Sequence, residues 1–335
     1  VQGLGQIECR IYPCPERVCP LSGGASVRGF VLAAGFGTRL RPLTDHVPKA
    51  LVKVAGKPLL GHALEFFAEN GIRTIGVNTY YLPEQIEAYR NASAIQFTQF
   101  HEDGEIRGTG GALHFARSFL DSEDSFVVAN ADIIARYSFT EALRHFEQSD
   151  ALCMLLAFAT KGKGTIFYDT RTHEYTGTPV DSIECQDTSV ADFTGTTFYK
   201  REFLEYIKAD DFSIVPVWLR AVRDGAKVLV HVANGGFWRD IGSPKALLDI
   251  HCEIIDGVVG LTVPDPMIID SDGKRCVHRS VQISQNIGAY SWIESAHFSS
   301  SVRTTRTLYY ADAKEVTDLE LNNKIVTEWG ILPIV

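Results

Sequence analysis

A run of glycines and basic residues near the start of the chain has the residue types that bind a polyphosphate. The apolar run from Phe30 to Ala34 predicts a buried strand, and Gly35 and Gly37 follow it directly. Glycines there let backbone N–H groups approach a phosphate closely, because they have no Cβ. Arg39 adds a fork-shaped charge suited to phosphate oxygens, and Lys49, after Pro48, adds a point charge. The spacing predicts a polyphosphate site.

Two better-known phosphate motifs do not fit these residues. A P-loop has the pattern G-x-x-x-x-G-K-[ST], and no Lys-Ser or Lys-Thr pair follows Gly35 or Gly37 at that spacing. A dinucleotide-binding G-x-G-x-x-G motif needs a third glycine where this chain has Leu40. Pro42 would also interrupt the helix that is expected there.

The segment 35–51 resembles the signature loop of the sugar-1-phosphate nucleotidyltransferases, also called NDP-sugar pyrophosphorylases. The resemblance rests on the runs GFGTRLRPLT and PKAL, and it extends over roughly residues 28 to 255. It is closest to the mannose-1-phosphate guanylyltransferases and the N-acetylmuramate-1-phosphate uridylyltransferases. It implies an enzyme that converts a nucleoside triphosphate and a sugar 1-phosphate into an NDP-sugar and pyrophosphate with Mg²⁺ as cofactor.

The resemblance also implies roles for individual residues. Arg39 and Lys49 would be the catalytic residues, with Arg39 on the leaving phosphates and Lys49 near the α-phosphate or the sugar phosphate. The Gly-Thr-Gly-Gly-Ala run at 108–112 opens a helix and would lie against the base and ribose. The implied nucleotide-binding residues are Ala33, Ala34, Gly35, Gly37, Thr38, Gly108 and Thr109. The implied sugar-binding residues are Gly195 and Glu184.

Two aspartates are the candidate Mg²⁺ ligands. Asp132 comes directly after an apolar run, so a strand would fix it at a sheet edge, and Mg²⁺ takes one or two carboxylates together with phosphates. The family usually has Asn-Gly-Asp here, whereas this chain has Ala131 in the glycine place. Asp240 lies in Trp-Arg-Asp-Ile-Gly-Ser, which resembles the family's W-x-D-[IV]-G-[ST] motif. The alternative for each is a turn or helix-cap aspartate, although Ser243 is the better cap candidate for the following helix.

The order of apolar runs and helical patterns predicts an α/β fold. Short strands that alternate with helices imply a Rossmann-like, mixed but mostly parallel sheet with helices on both faces, the nucleotidyltransferase fold. Ligands of such sheets lie at the carboxyl ends of strands, where the glycine loop and Asp132 are both expected. Short β-prone runs between Ala151 and Tyr199 predict antiparallel strands beside this sheet. The predicted strands are 30–34, 72–78, 95–100, 125–129 and 227–232, and the predicted helices are 60–70, 83–89, 110–120, 215–223 and 244–255.

The chain changes character past Gly257. Val281, Ile283, Ile287 and Ile293 alternate with small and polar residues, which resembles a degenerate, left-handed β-helix of the kind many of these transferases have at the C terminus. The alternative is a few strands that cap the main domain. A β-helix here implies assembly or regulation, so a homo-oligomer formed through this segment is expected. The predicted division is an N-terminal extension at 1–26, a catalytic domain at 27–256 and a β-rich domain at 257–335.

Composition limits the partners and the compartment. The net charge of −9 argues against a broad basic surface for nucleic acid. No apolar run approaches the roughly 20 residues that cross a bilayer, so no membrane partner is expected. The seven cysteines are odd in number and mostly scattered, which favours a reducing compartment and a cytoplasmic location. Cys9, Cys14 and Cys19 lie in the first 26 residues, a segment predicted to be poorly ordered.

Other functions stay open at this stage. A cytidylyltransferase for choline phosphate or another non-sugar phosphate could use the same loop, and a non-catalytic nucleotide-sugar sensor could retain the fold. A nicotinamide-dependent dehydrogenase is a distant third, because the third glycine is missing. Uracil and guanine are the first candidates for the base, followed by thymine and cytosine, and the sugar is open. Trp238 could stack on a sugar or pack in the core.

Overall fold

The computed structural model describes residues 27–160, 162–299, 301–310, 313 and 320–334. The α-helices are α1 (Leu59–Glu69), α2 (Pro83–Ala92), α3 (Gly108–Phe115), α4 (Arg117–Leu120), α5 (Thr140–Gln148), α6 (Ile214–Arg223) and α7 (Pro244–Ile255). The first strands are β1 (Val27–Leu32), β2 (Lys53–Val54), β3 (Lys57–Pro58), β4 (Thr74–Thr79), β5 (Thr98–His101), β6 (Ser125–Asn130), β7 (Ile133–Arg136), β8 (Cys153–Ala159), β9 (Ile166–Asp169) and β10 (Tyr175–Gly177). The remaining strands are β11 (Thr188–Lys200), β12 (Val228–Val232), β13 (Phe237–Asp240), β14 (Met267–Asp270), β15 (Arg275–His278), β16 (Trp292–Ile293), β17 (Arg303–Tyr309), β18 (Glu320–Thr327) and β19 (Gly330–Pro333). Short 3₁₀ turns cover Thr38–Leu40, Leu43–Asp45, Lys49–Leu51 and Arg201–Tyr206.

Nine of the described strands form the main sheet, with β1 at its centre. β1 pairs in parallel with β4 and with β6, and β4 pairs in parallel with β5. β11 runs antiparallel to β6, β8 and β9, while β12 runs parallel to β8. This is the mixed, mostly parallel α/β sheet that the sequence predicted, with antiparallel strands added between residues 151 and 199.

Helices cover both faces of this sheet because side chains along its strands alternate between two cores. Along β1, Val31 packs in the core that includes Phe67 of α1, whereas Phe30 packs in the core that includes Leu113 of α3. The same alternation occurs in β6, where Val127 faces α1 and α5 and Val128 faces α3, α4 and α6. The sheet is therefore rigid at its middle, where its carboxyl edge is formed.

A separate two-stranded ladder lies beside the main sheet. β7 follows β6 after a two-residue turn and pairs antiparallel with β13, so that Asp240 lies opposite Ile133. The backbone N–H of Ile241 donates to the carbonyl of Asp132 at 2.8 Å. This ladder brings two segments more than a hundred residues apart to the same edge of the main sheet.

The last described strands form a six-stranded sheet in the order β14 to β19. The pairs β15–β16, β16–β17 and β17–β18 are parallel although they are consecutive in the chain, which is consistent with the coils of a β-helix. Its buried Trp292 packs in one core with Ile241 and Leu248, next to the main sheet. The left-handed sense and the boundary at 256/257 stay predictions.

The structure leaves some sequence predictions untested. Cys9, Cys14 and Cys19 and the proposed extension at 1–26 lie outside the described residues. The four cysteines inside the described part, Cys153, Cys185, Cys252 and Cys276, are free thiols. Among the described residues, no helix combines the length and apolar character that a membrane span requires.

Two buried histidines are expected to make the protein acid-sensitive. Burial lowers the pKa of His62 to about 4 and, equally, that of His251 to about 4. His251 Nε2 accepts the N–H of Ala55 at 3.2 Å, and its Nδ1 lies 2.7 Å from the carbonyl of Leu247, so the neutral ring links α7 to the β2–β3 turn. Because the unfolded chain takes up these protons first, stability falls as pH drops from about 6.5 towards 4, by at most about 3 kcal/mol per histidine.

Urea unfolding at pH 7.5 and pH 5 measures this effect. The His62→Asn variant should lose less stability between the two pH values than the wild type does. The matched control is His145→Asn, at an exposed position of α5, which should leave the pH dependence unchanged. Equal pH dependence in all three proteins would contradict the assignment.

Candidate active site

A cavity of about 360 Å³ opens at the carboxyl edge of β1, β4 and β6. Strands β1 and β6 end at this cavity, and β4 contributes Asn78 to it. The predicted site residues that line it are Ala33, Ala34, Gly35, Gly37, Thr38, Arg39, Lys49, Gly108, Thr109 and Asp132. The topology therefore brings the glycine loop, one aspartate and the start of α3 to one cavity.

Gly37 shapes the loop that follows β1. Its φ of +65° is in the left-handed region, which glycine adopts without strain. Its carbonyl accepts hydrogen bonds from Leu40 N–H and from the buried Thr44 hydroxyl, both at 2.8 Å. Within the described residues, no hydrogen bond engages the N–H groups of Gly35 and Gly37. These donors are therefore available to an anion in the cavity.

The Gly37→Ala substitution is expected to destabilise the protein by about 1–3 kcal/mol, because alanine is strained at this φ. Its Cβ would also lie 2.8 Å from Lys49 Cβ, which is closer than real Cβ contacts. Gly35→Ala is the matched control for stability, since a Cβ there meets nothing within 4 Å. Thermal unfolding of both variants checks this, and a Gly37→Ala melting temperature equal to that of Gly35→Ala would contradict it.

Lys49 and Asp132 form an ion pair at the wall of the cavity. Lys49 Nζ donates to Asp132 Oδ2, and the two side chains are 13% and 25% exposed. Because both are largely shielded from water, the pair is less screened than a surface ion pair. The pairing fixes the lysine head at the point where the strand β6 ends.

Arg39 and Asp240 approach each other at Gly242. A Cβ on Gly242 would be 2.4 Å from Arg39 Nη2 and 2.8 Å from Asp240 Oδ1, so the arginine and the aspartate both border Gly242. In the described residues, no ion pair holds Arg39, whereas Arg41 is paired with Asp45 at 3.0 Å. The Arg39 guanidinium is thus available to phosphate oxygens.

Asp240 titrates abnormally because of where the ladder places it. Partial burial and the nearby carboxylate of Asp132 raise the pKa of Asp240, while Lys49 and Arg39 lower it in part. Its side chain nevertheless reaches solvent. A carboxylate disfavoured by a neighbouring carboxylate is a position where a bound cation is favourable.

The donor set at this place fits Mg²⁺. No group of three or more His, Cys, Asp or Glu side chains gathers as a metal site anywhere in the described part of the chain. Mg²⁺ does not need one, because it keeps several waters and binds through one or two carboxylates plus substrate phosphates. Asp132 and Asp240 would be those carboxylates, next to the polyphosphate loop.

The start of α3 forms another wall of the cavity. Gly108 has φ +67°, and a Cβ there would lie 2.1 Å from the carbonyl oxygen of Phe212. That carbonyl accepts the Gly110 N–H at 3.2 Å, and the Thr109 hydroxyl accepts the Ile214 N–H at 2.9 Å. Because these glycines have no Cβ, the loop before α6 can lie against the start of α3, and room is left in the cavity.

A buried polar network that the sequence analysis missed joins two walls of the cavity. Asn78 Oδ1 accepts the Ala33 N–H at 2.7 Å, and its Nδ2 donates to Glu102 Oε1 at 2.7 Å. Glu102 Oε2 in turn accepts the Arg107 N–H at 2.8 Å, and the Glu102 side chain is fully buried. The only sequence signal was a polar Asn within an otherwise apolar strand pattern. The network links the end of β1 to the start of α3.

The predicted sugar-binding residues lie in different surroundings. Gly195 is buried with φ +78°, and a Cβ there would be 2.9 Å from Nδ2 of Asn130, which lines the cavity. Glu184 is exposed in the loop between β10 and β11 and does not line the cavity. Trp238 packs against the core next to α1, which favours the packing role over stacking on a sugar.

Comparison with known proteins identifies the family. Residues 28–168 match the family model described as Nucleotidyl transferase. Over 230 residues, the chain is 32% identical to the N-acetylmuramate alpha-1-phosphate uridylyltransferase of Caulobacter vibrioides. The alignment covers 65% of this chain and 93% of that protein. The chain belongs to the nucleotidyl transferase family. The resemblance to sugar-1-phosphate nucleotidyltransferases predicted from the glycine loop is confirmed, and the chain is an enzyme of this class.

Other relatives of this nucleotidyltransferase are mannose-1-phosphate guanylyltransferase catalytic subunits beta. The one from Drosophila pseudoobscura pseudoobscura is 29% identical over 275 residues, with 75% of this chain and 72% of that protein covered. The one from Danio rerio is 26% identical over 321 residues, with 82% and 87% covered. The second match includes more of the chain than the predicted catalytic domain contains.

Solved structures confirm the nucleotidyltransferase fold. The inositol-1-phosphate CTP transferase from T. maritima superposes with a TM-score of 0.56 at 18% identity, over 67% of this chain and 92% of that one. An apo UDP-glucose pyrophosphorylase superposes with a TM-score of 0.57 at 16% identity, over 67% and 96%. At these identities the likeness concerns the fold alone.

Proposed function

We propose that this nucleotidyltransferase joins a uridylyl or guanylyl group to a sugar 1-phosphate in a Mg²⁺-dependent reaction. The observation that carries the proposal is the cavity lined by the glycine loop with its open N–H groups, Arg39, Lys49 and Asp132, with Asp240 next to the lining residue Gly242. Two cationic side chains and two candidate metal-binding carboxylates around one cavity suit a triphosphate and a second phosphate. The printed names of the relatives support uracil or guanine as the base and a sugar 1-phosphate as the acceptor.

The reaction needs no protein nucleophile, because the acceptor phosphate is already anionic. Its oxygen attacks the α-phosphorus in line, a new P–O bond forms, and the bond to the leaving pyrophosphate breaks. Catalysis then depends on positioning and charge stabilisation. Arg39 binds the departing phosphates, and Lys49 neutralises charge near the α-phosphate or the sugar phosphate.

Asp132 and Asp240 would hold the Mg²⁺, which supplies charge neutralisation on the phosphates when it is bound. Lys49 is paired with Asp132, so its ammonium lies beside one of the two carboxylates that would hold the cation. Gly108 and Thr109 line the cavity and would lie against the nucleoside, and Gly195, whose Cβ position is next to the lining residue Asn130, would lie towards the sugar. Glu184 is exposed and does not line the cavity, so its position does not support its predicted role in sugar binding.

Pyrophosphate release tests the proposal. The assay combines UTP, GTP, dTTP and CTP with the 1-phosphates of mannose, N-acetylmuramate, glucose and N-acetylglucosamine, and with choline phosphate. We expect release with one base and one sugar 1-phosphate, abolished by a chelator and restored by Mg²⁺. Turnover only with CTP and choline phosphate would show that the acceptor is a non-sugar phosphate. Nucleotide binding without any turnover would favour a sensor.

Two further expectations accompany the proposal. Assembly into a homo-oligomer through residues 257–335 follows from the β-helix resemblance, and light scattering of the purified chain measures it. The cytoplasmic location and the lack of nucleic-acid partners rest on the cysteine usage and on the net charge of −9.

A further inference from the structure

A tryptophan near the end of the described chain stacks on the loop that contributes the cationic residues. The rings of His46 and Trp329 lie 5.0 Å apart between centroids and only 10° from parallel. Trp329 lies between β18 and β19, more than 280 residues after His46. The contact therefore joins the C-terminal sheet to the segment 41–48, which connects Arg39 to Lys49.

Besides this stack, the segment 41–48 is attached through buried Leu43, which packs in the core that includes Leu247 and Trp292, and through hydrogen bonds to its backbone. Tyr81 donates its hydroxyl to the carbonyl of Asp45 at 2.9 Å, and Gln85 Nε2 donates to the carbonyl of His46 at 2.9 Å. These contacts come from the start of α2 and fix the backbone on one side. The Trp329 ring adds a contact from the C-terminal sheet, and it engages the His46 side chain.

The backbone of Trp329 is held by the hairpin tip, while its side chain is 37% exposed. The backbone N–H of Trp329 donates to the Thr327 hydroxyl at 3.2 Å. That hydroxyl donates to the Gly330 carbonyl at 3.0 Å, so the hairpin tip is closed. The sheet behind it is attached to the catalytic part, where the Tyr310 hydroxyl donates to the Lys53 carbonyl at 2.8 Å and Arg306 pairs with Asp249. The hairpin that presents Trp329 to His46 is thus attached to the catalytic part at several points.

We infer that Trp329 is a positioning residue, which fixes the segment 41–48 so that Arg39 and Lys49 are preorganised for the triphosphate. The inference rests on the proposed function of the cavity. Trp329 does not line that cavity, so it acts through His46 and the loop backbone. Without the stack, the His46 end of the segment would lose a contact, and the cost of ordering it would fall on substrate binding.

The Trp329→Ala variant should raise KM for the nucleoside triphosphate about threefold to tenfold, as expected for the loss of one aromatic pair, with a smaller change in kcat. Trp329→Phe keeps an aromatic ring and should restore most of the binding. The matched control is Ile268→Ala, an exposed apolar residue on β14 at the opposite edge of the same sheet, which should behave like the wild type. A fall in kcat alone, or equal effects of the Ala and Phe variants, would overturn the inference.

Hydrogen exchange supplies a readout that needs no turnover. The amides of Asp45, His46 and Val47 are hydrogen-bonded inside the loop and report its order directly. They should exchange faster in Trp329→Ala and in His46→Ala, and the double variant should exchange no faster than either single one. Unchanged exchange, or additive effects, would overturn the inference even if the wild type is fully active. If the wild type has no activity, the proposed function fails, while faster exchange still supports Trp329 as the loop's anchor.

Discussion

Replacing Lys49 by alanine is expected to lower kcat/KM for pyrophosphate release about 100- to 1,000-fold, the usual cost of removing one preorganised charge from a transition state. The lysine is only 13% exposed and its Nζ is held by Asp132, so its charge is both shielded from water and fixed in place. No other side chain of the described cavity lining offers an ammonium group. Steady-state kinetics with saturating Mg²⁺ measures the loss.

The matched control for this variant is Lys53→Ala, which removes an exposed lysine from the neighbouring β2. It should keep at least half of the wild-type kcat/KM. Circular dichroism and thermal unfolding should show that Lys49→Ala remains folded, because the removed group contributes one ion pair rather than core packing. Wild-type rates in Lys49→Ala would remove the lysine from the catalytic machinery.

Replacing either Asp132 or Asp240 by asparagine should abolish most Mg²⁺-dependent turnover, because each change removes one of the two carboxylates of the candidate cation site. The two variants should differ in stability. Asp132→Asn leaves Lys49 without its charged partner, so it should be the less stable one. Asp240→Asn removes the carboxylate whose pKa is raised by burial and by Asp132, so the metal-free protein should lose no stability at neutral pH.

Thermal unfolding provides a readout of metal binding that is independent of activity. Mg²⁺ with nucleotide should raise the melting temperature of the wild type, since a ligand that binds only the folded state stabilises it. The shift should be absent or much smaller in both variants and unchanged in Asp121→Asn, at an exposed position after α4. An undiminished shift in Asp240→Asn would show that the cation binds elsewhere.

The elements with strong local signals could be predicted from the sequence. Helix α7 begins and ends as expected, because Ser243 accepts the Ala246 N–H as N-cap and Pro244 occupies the first helical position. The apolar run before Gly35 and the one before Asp132 both form strands of the central sheet. Since parallel strands end at one edge, the meeting of the glycine loop with Asp132 also followed from the pattern.

The pairing of the two aspartates could not be predicted in the same way. Strands β7 and β13 have only four residues each and lie about a hundred residues apart, so no local periodicity indicates that they pair. Helix α5 was not predicted from the sequence. The predicted helix at 110–120 is divided into α3 and α4 at Ala116. Strand β11 continues through Gly195, which adopts a positive φ where the register with β8 shifts, and no local pattern indicates this irregularity.

The contacts that order the cavity walls were also beyond the sequence. The hydrogen bonds from Asn78 to Ala33 and Glu102 join residues that are distant in the chain, and no spacing rule predicts them. The same holds for the stack of Trp329 on His46. Such contacts depend on the tertiary arrangement, whereas the chemical types of the site residues are visible in the sequence.

The most direct test of the account follows the α-phosphorus of the nucleotide. The wild-type protein is incubated with Mg²⁺, a sugar 1-phosphate and UTP or GTP that is radiolabelled at the α-position, and the products are separated. The account predicts that the label enters the nucleotide sugar while unlabelled pyrophosphate is released in equal amount. Label found only in a nucleoside diphosphate or monophosphate, with no sugar adduct for any sugar 1-phosphate, would contradict nucleotidyl transfer at this cavity.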